Sequence, residues 1–150
     1  MEKRSYYIHG QEKTHEMPDY LLNEPKKVLL LDDDQDLVPI LSAALESDSY
    51  QVSTATNGVD GLRQVMATDF DAIVCDMVMP TLPGDMFYLA VEKTRPHLCK
   101  RFVFITGHQA EKKYAEFARS KGCLILWKPF ELHVLFDAVQ AIIKRNASTK

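Results

Sequence analysis

Two short apolar segments that each end at aspartate constrain the fold of this chain more than any other feature. Residues 28–31 read Val-Leu-Leu-Leu and are followed by three consecutive aspartates that begin at Asp32. Residues 72–75 read Ala-Ile-Val-Cys and are followed by Asp76. Runs of this length and composition are typical of strands that are buried on both faces of a parallel sheet.

The rest of the chain alternates between strand and helix patterns. We predict strands near residues 27–31, 51–54, 72–75, 101–105 and 124–127, with a helix after each of them. Asp36 is the predicted N-cap of the first helix, because apolar residues recur at helical spacing after it. The alternation predicts an α/β fold, a doubly wound parallel sheet of five strands flanked by five helices.

The sequence divides into one domain and two short ends. A length of 150 residues is about that of a single domain. Residues 1–25 are polar without clear periodicity, so we expect a flexible N-terminal tail or a short docking arm. Residues 26–145 form the predicted domain, and residues 146–150 are a predicted C-terminal tail.

The composition excludes several classes of partner. A formal net charge of −3 and a pI near 5.9 argue against nucleic acid or an anionic membrane as the main partner. No segment resembles a membrane span or a signal peptide, so we expect a cytoplasmic protein. The three cysteines, Cys75, Cys99 and Cys123, form no C-x-x-C pair and are expected to be free thiols in a reducing compartment.

Side chains with complementary chemistry follow the predicted strands. Asp32 and Asp33 follow the first strand, Asp76 the third, Thr106 the fourth and Lys128 the fifth. Right-handed crossovers bring the carboxyl ends of these strands to one edge of the sheet. Crowded carboxylates are unstable without a cation, and hard oxygen ligands suit Mg²⁺. Carboxylates, a hydroxyl and an ammonium together indicate phosphoryl transfer onto a carboxylate.

Four short motifs carry a resemblance to a known family. They are Leu-Asp-Asp-Asp at 31–34, Asp-Met-Val-Met-Pro at 76–80, Ile-Thr-Gly at 105–107 and Lys-Pro-Phe at 128–130. With these motifs in this order, residues 26–144 resemble the receiver domain of two-component response regulators. The resemblance implies a flavodoxin-like receiver fold and a role in phosphorelay signal transduction.

The resemblance also implies roles for the acidic residues. Asp76 is the expected phosphoacceptor, and its donor is a histidine of a sensor kinase or of a histidine phosphotransfer protein. Asp33 is the expected direct ligand of Mg²⁺, Asp32 acts mainly through water, and the carbonyl of Val78 completes the protein ligands.

Further roles fall on the fourth and fifth strands. By the same resemblance Thr106 and Lys128 contact the phosphoryl group, and the peptide bond between Lys128 and Pro129 is cis. Gly107 leaves space beside the site for an incoming phosphodonor.

Three positions depart from patterns seen in the family. Ile125 stands where many members have an aromatic residue that moves inward on activation. Val78 stands where some relatives have a polar side chain that orients water. His108 lies two positions after Thr106, at the expected mouth of the site. We hypothesise that Val78 shields the acyl phosphate and that His108 tunes access to it.

The resemblance favours a signalling module rather than an enzyme, because only its own phosphorylation and dephosphorylation are expected. Phosphorylation would alter the face of the fourth helix, fifth strand and fifth helix, which is also a possible homodimer interface. The chain could bind an unknown downstream protein, relay phosphate onward, or be a fragment of a larger regulator or hybrid histidine kinase. A Mg²⁺-dependent phosphatase that forms an aspartyl phosphate is the alternative from another class.

Overall fold

The computed structural model describes residues 3–16, 24–107 and 112–147, with the backbone alone for 3–8 and 13–16. The strands are β1 Lys3–Ile8, β2 Gln11–Glu16, β3 Lys27–Leu31, β4 Gln51–Ala55, β5 Ala72–Asp76, β6 Phe102–Gly107 and β7 Leu124–Lys128. The α-helices are α1 Leu37–Ser47, α2 Gly58–Ala67, α3 Gly84–Thr94, α4 Lys112–Ser120 and α5 Leu132–Ala147, and a 3₁₀ helix spans Pro96–Arg101.

The main sheet has five parallel strands in the order β4-β3-β5-β6-β7. The chain enters at β3, adds β4 on one side, and then crosses to the other side to add β5, β6 and β7 in turn. The predicted doubly wound parallel sheet is therefore confirmed. The direction of winding reverses between β3 and β5, and a crevice forms at the carboxyl ends of strands at such a point.

Two apolar layers cover the faces of this sheet. Along β3, Leu29 and Leu31 point to one face and pack with side chains of α2, α3 and α4. Val28 and Leu30 point to the other face and pack with α1 and α5. This alternation is the geometry of a strand, and burial on both faces explains why the sequence of β3 is apolar throughout.

The bounds of four of the five predicted strands differ from the predictions by one or two residues. β4, β5 and β7 each continue one residue further than predicted, and β6 runs from Phe102 to Gly107 rather than over 101–105. The 3₁₀ helix Pro96–Arg101 precedes β6 and was not predicted. The strands thus reach the residues that carry the candidate chemistry.

A β-hairpin lies within residues 1–25, the segment for which the sequence predicts a flexible tail or a short docking arm. β1 and β2 pair antiparallel, with Ile8 opposite Gln11. Both turn residues have positive φ, 51° at His9 and 75° at Gly10. Positive φ at both positions is the signature of the type I′ turns that connect tight hairpins. Asn-Gly is the usual sequence signal for such a turn, and His-Gly is a weaker one.

The ends of two helices also differ from prediction. α1 begins after Asp36, but the Asp36 side chain makes no capping hydrogen bond. Instead Asp34 Oδ1 accepts hydrogen bonds from the backbone N–H groups of Asp36 and Leu37, at 3.0 and 3.1 Å. α5 continues to Ala147, so part of the predicted C-terminal tail is helical. None of the helices that the structure describes has the length and apolar character needed to span a membrane.

Candidate functional site

β3 and β5 bring two aspartates to the same edge of the sheet. Leu31 pairs with Cys75 in the parallel register, so the next residues, Asp32 and Asp76, leave their strands side by side. The side chain of Asp32 is fully buried, and that of Asp76 is 8% exposed. Two carboxylates with this little access to water need positive charge nearby.

A third carboxylate joins this pair from the loop after β3. One carboxylate oxygen from each of Asp32, Asp33 and Asp76 lies within 4.8 Å of the other two. Asp33 is exposed, so the group opens to solvent on that side. A set of converging hard oxygens that water can reach is suited to Mg²⁺, which keeps part of its hydration shell.

Lys128, from the end of β7, bridges the two buried aspartates. Its Nζ donates hydrogen bonds to Asp32 Oδ2 at 2.7 Å and to Asp76 Oδ2 at 3.1 Å. The remaining oxygen of Asp32, Oδ1, accepts a hydrogen bond from the backbone N–H of Asp34 at 2.9 Å. The single ammonium offsets only part of the negative charge of the three clustered carboxylates.

The pKa values in the site reflect this imbalance. Burial and the negative charge of Asp32 raise the pKa of Asp76 to about 6, although Lys128 and the N–H of Val78 act in the opposite direction. Burial acts to lower the pKa of Lys128, but the hydrogen bond to Asp32 and the charges of both aspartates raise it overall. Additional positive charge beside Asp76 would therefore favour its ionised form.

The backbone after β5 orients the Asp76 carboxylate. The N–H of Val78 donates to Asp76 Oδ1 at 3.1 Å, and the N–H of Gly84 donates to the carbonyl of Met77 at 2.9 Å. A Cβ added at Gly84 would overlap the Asp76 carbonyl and approach the Met77 Cα to 2.8 Å. The first turn of α3 thus packs directly on the backbone of Asp76. This long-range contact has no local signal in the sequence.

Thr106 supplies an unsatisfied hydroxyl at the end of β6. Asp76 pairs with Ile105 in the sheet, so Thr106 is one residue beyond that pair. The residue is fully buried, and its Oγ1 has no hydrogen-bond partner among the residues described. A buried hydroxyl without a partner is costly, and a phosphoryl oxygen on Asp76 would supply one. At the neighbouring Gly107, an added Cβ would meet no described atom within 4 Å.

The positions that depart from the family pattern have different surroundings. The side chain of Val78 is 51% exposed beside Asp76, as a shielding role requires. Ile125 is partly buried against the apolar layer that contains α3 and α4. The Lys128–Pro129 peptide bond is cis, as expected. His108 lies outside the described residues, so its predicted role stays a prediction.

Sequence comparison relates the chain to one family along most of its length. The model of the response regulator receiver domain matches residues 28–140. Response regulator receiver protein CpdR of Brucella abortus is 28% identical over 118 residues, which are 79% of this chain and 97% of that protein. Transcriptional regulatory protein GlrR of Escherichia coli is 26% identical over 125 residues, which are 83% of this chain but only 28% of GlrR. The chain therefore spans a minor part of that longer relative.

Solved structures show the same similarity. A response regulator receiver domain protein from Clostridium thermocellum has a TM-score of 0.75 at 28% identity, and the match covers 83% of this chain and 99% of that one. A CheY-like receiver domain protein from Methanospirillum hungatei has a TM-score of 0.78 at 21% identity, covering 85% and 100% of the two chains. The second match, at low identity, supports the fold alone.

Proposed function

Because the chain belongs to the response regulator receiver domain family of two-component systems, we propose that Asp76 is its phosphoacceptor. A phosphohistidine on a sensor kinase or a histidine phosphotransfer protein is the proposed donor. The N–P bond of the donor breaks as a carboxylate oxygen of Asp76 forms a new O–P bond, and the released imidazole takes up a proton from solvent. The product is an acyl phosphate.

The convergence of charged groups around Asp76 carries this proposal. The acceptor carboxylate lies between the Lys128 ammonium, 3.1 Å away, and two further carboxylates. Transfer of a phosphoryl group places extra negative charge where Lys128 already lies. The hydroxyl of Thr106 at the same sheet edge, which has no partner among the residues described, provides a donor for that group after transfer.

The carboxylates fit the Mg²⁺ that the family implies. We propose that Asp33 binds the ion directly, that Asp32 acts mainly through water, and that Asp76 and the carbonyl of Val78 complete the protein ligands. When bound, Mg²⁺ neutralises charge on the transferring oxygens. Lys128, which is also paired with Asp32, holds the Asp76 side chain through an ion pair.

Phosphoryl trapping tests the assignment. Incubation of the full chain with acetyl phosphate and Mg²⁺ should add one phosphoryl group per chain, and peptide mass spectrometry should locate it on Asp76. Asp76→Asn should remain unmodified, and EDTA should block the reaction. Stoichiometric labelling of the Asp76→Asn chain would exclude Asp76 as the acceptor.

An apolar groove beside the site is the proposed docking surface for the phosphohistidine protein. The groove has a volume of about 440 Å³ and lies between the start of α1 and the β7–α5 connection, with Lys128 at one end. Its walls include Ile40 and Leu132, which are 58% and 40% exposed. Continuity with Lys128 would place a histidine carried by a partner next to Asp76, and exposed apolar side chains at such a surface suit a protein partner.

A comparison of a protein donor with a small-molecule donor distinguishes an effect on partner docking from an effect on phosphoryl transfer itself. Ile40→Asp or Leu132→Asp should slow transfer from a phosphohistidine protein at least about tenfold, since each buries a charge in the interface. The same variants should accept phosphate from acetyl phosphate at the wild-type rate. Met66→Asp, which changes a residue 53% exposed on α2, is the matched control. Equal slowing with both donors would show that the groove does not dock the partner.

We further propose that the domain acts in the cytoplasm and catalyses only its own phosphorylation and dephosphorylation. The family match does not favour the alternative of a Mg²⁺-dependent phosphatase. Slow turnover of p-nitrophenyl phosphate, abolished by Asp76→Ala, is expected. Rapid multiple turnover that survives this substitution would favour the phosphatase.

A homodimer through α4, β7 and α5 is the proposed response to phosphorylation. β7 is an edge strand of the sheet, and its Leu124 is 41% exposed. Sedimentation of the acetyl phosphate-treated chain should show a shift toward dimer. Leu124→Asp should abolish the shift without preventing phosphorylation.

A further inference from the structure

We propose that a second cavity, at the sheet edge opposite Asp76, binds a small organic anion with an apolar body. The cavity has a volume of about 510 Å³ and lies where β6 and β7 begin, between the 3₁₀ helix and the C-terminal ends of α4 and α5. Its residues do not include those assigned to phosphoryl transfer, so the proposal does not depend on that function.

The charge of the lining is opposite to that of the chain. Lys100, Lys121 and Arg145 line the cavity, and no aspartate or glutamate is among the described residues that do so. The whole chain carries a formal net charge of −3. Three cations from three different segments therefore converge on one concave surface of an acidic protein, which favours an anionic ligand.

Two of these cations make contacts at the cavity. Lys121 Nζ lies 3.2 Å from Glu92 Oε2 and 5.7 Å from the centre of the Tyr88 ring. Arg145 Nη2 donates to the carbonyl of Lys100 at 3.2 Å. Glu92, the carboxylate partner of Lys121, is not among the described residues that line the cavity.

The floor of the cavity is apolar and aromatic. Tyr88 and Phe102 are 4% and 1% exposed, and their rings pack edge to face with centroids 4.9 Å apart. The thiols of Cys99 and Cys123 also line the cavity, and burial raises the pKa of both, so they are neutral at physiological pH. A fully hydrated inorganic anion would gain nothing from this floor, whereas an apolar body would be removed from water.

The volume of the cavity is compatible with a small molecule as the occupant. Pockets for small ligands typically enclose about 300 to 1,000 Å³ and combine an apolar lining with a few polar groups that fix orientation. The cavity at 510 Å³ falls within this range. A carboxylate or sulfonate at the cationic rim, with a short aliphatic or aromatic body above Tyr88 and Phe102, satisfies both parts of the lining.

A pair of ligands that differ in charge tests the proposal. Octanoate and 1-octanol have the same chain length, and only octanoate is anionic at neutral pH. In ¹H–¹⁵N correlation spectra of the full chain, octanoate should shift the amides of Cys99, Cys123 and their neighbours at concentrations at which octanol does not. Equal affinity for the two ligands, absence of shifts at millimolar octanoate, or shifts confined to the groove at Ile40 and Leu132 would each overturn the proposal.

Charge-removing variants test the rim. Lys100→Gln and Arg145→Gln should each weaken octanoate binding about threefold, as expected for partly exposed ion pairs. Lys144→Gln, which changes an exposed cation of α5 outside the lining, should leave the affinity unchanged. Equal weakening by all three variants would mean that general surface charge attracts the ligand, and it would reject a specific site.

The reactivity of the thiols of Cys99 and Cys123 gives an independent measure of ligand binding in the cavity. Octanoate should slow the alkylation of Cys99 and Cys123 by N-ethylmaleimide, a neutral reagent, and octanol at the same concentration should not. Cys75, which is fully buried in the sheet, should stay unmodified throughout and reports that the fold is intact. Unchanged alkylation rates at saturating octanoate would contradict binding in this cavity.

Discussion

The ammonium of Lys128 lies 2.7 Å from a carboxylate oxygen of Asp32, although 96 positions separate the two residues in the chain. Asp32 is fully buried, so this contact is its main source of compensating charge. The same ammonium also reaches Asp76, which couples the proposed acceptor to the stability of the sheet edge.

Lys128→Met should therefore destabilise the metal-free protein at pH 8 by about 3 kcal/mol, because it leaves a buried carboxylate unpaired. Urea unfolding in EDTA measures the loss, and added Mg²⁺ should recover part of it. Arg63→Gln removes a largely exposed ion pair with Asp60 and should change stability by less than about 0.5 kcal/mol. Equal losses in both variants would contradict the bridging role of Lys128.

The raised pKa of Asp76 predicts a specific pH dependence in the absence of metal. Its pKa is about 6 in the folded protein, against 3.8 for an ordinary aspartate. The folded state therefore binds the proton more tightly than the unfolded state does. Protonated Asp76 therefore stabilises the folded state. This contribution to the free energy of unfolding is fully present below pH 4 and is lost as the pH rises through 6. Asp76→Asn lacks this dependence, so it should be more stable than the wild type at pH 8, by on the order of 3 kcal/mol, and similar to it near pH 4.

Unfolding curves of both proteins in EDTA between pH 4 and 8 measure this difference. Mg²⁺ should reduce it at pH 8, because the cation favours the ionised carboxylate. A difference that does not vary with pH would show that Asp76 titrates normally.

The close approach of α3 to Asp76 predicts that Gly84→Ala is disruptive. The new methyl group would overlap backbone atoms of Asp76 and Met77, which cannot move as a flexible side chain does. We expect a loss of about 2 kcal/mol and slower phosphorylation by acetyl phosphate. For stability, Gly107→Ala is the matched control, since its methyl group would meet no described atom within 4 Å. Its unfolding free energy should stay within about 0.5 kcal/mol of wild type.

Val78 is expected to set the lifetime of the acyl phosphate. Its half-exposed apolar side chain lies beside Asp76, where a polar group could orient an attacking water. Val78→Asn should shorten the half-life of the phosphorylated protein several-fold, measured by loss of label after removal of the donor. Val59→Asn changes a similarly exposed valine on α2 and should have no effect. His108→Ala, measured in the same assay, tests the predicted influence of His108 on access.

Asp34 and Asp36, which precede α1, differ in their contacts with the first turn of the helix. Asp34 accepts two backbone hydrogen bonds there, and these contacts lower its pKa, whereas the Asp36 side chain makes no capping bond. Asp34→Ala should lower the melting temperature more than Asp36→Ala does. Because its pKa is depressed on folding, the contribution of Asp34 should be present above pH 4 and lost at lower pH. Equal melting temperatures for the two variants would contradict this assignment.

The sequence predicts best the features that have a local pattern. β3 has the predicted bounds because its four buried residues form an uninterrupted apolar run. Asp32, Asp76, Thr106 and Lys128 could be predicted to converge because each lies at or near the carboxyl end of a strand of one parallel sheet. The contact of Gly84 with the Asp76 backbone could not be predicted, since it depends on the angle at which α3 leaves its loop.

The remaining differences arise where two local patterns compete. Asp34 and Asp36 are both good capping residues, and only the path of the loop decides that Asp34 accepts the hydrogen bonds. At the hairpin, His9 takes a positive φ that sequence statistics reserve mainly for Asn, Asp and Gly.

β6 and β7 each begin at the cationic cavity and end at the phosphoacceptor edge. Four residue steps along either strand, from Phe102 to Thr106 or from Leu124 to Lys128, correspond to roughly 13 Å. Salt screens exposed charges at that separation, where the Debye length is about 8 Å, but it screens a buried charge such as that of Asp76 much less. The two strands therefore offer two routes between a bound anion and a phosphorylated Asp76, the electrostatic field across the sheet and the sliding or tilting of the strands themselves.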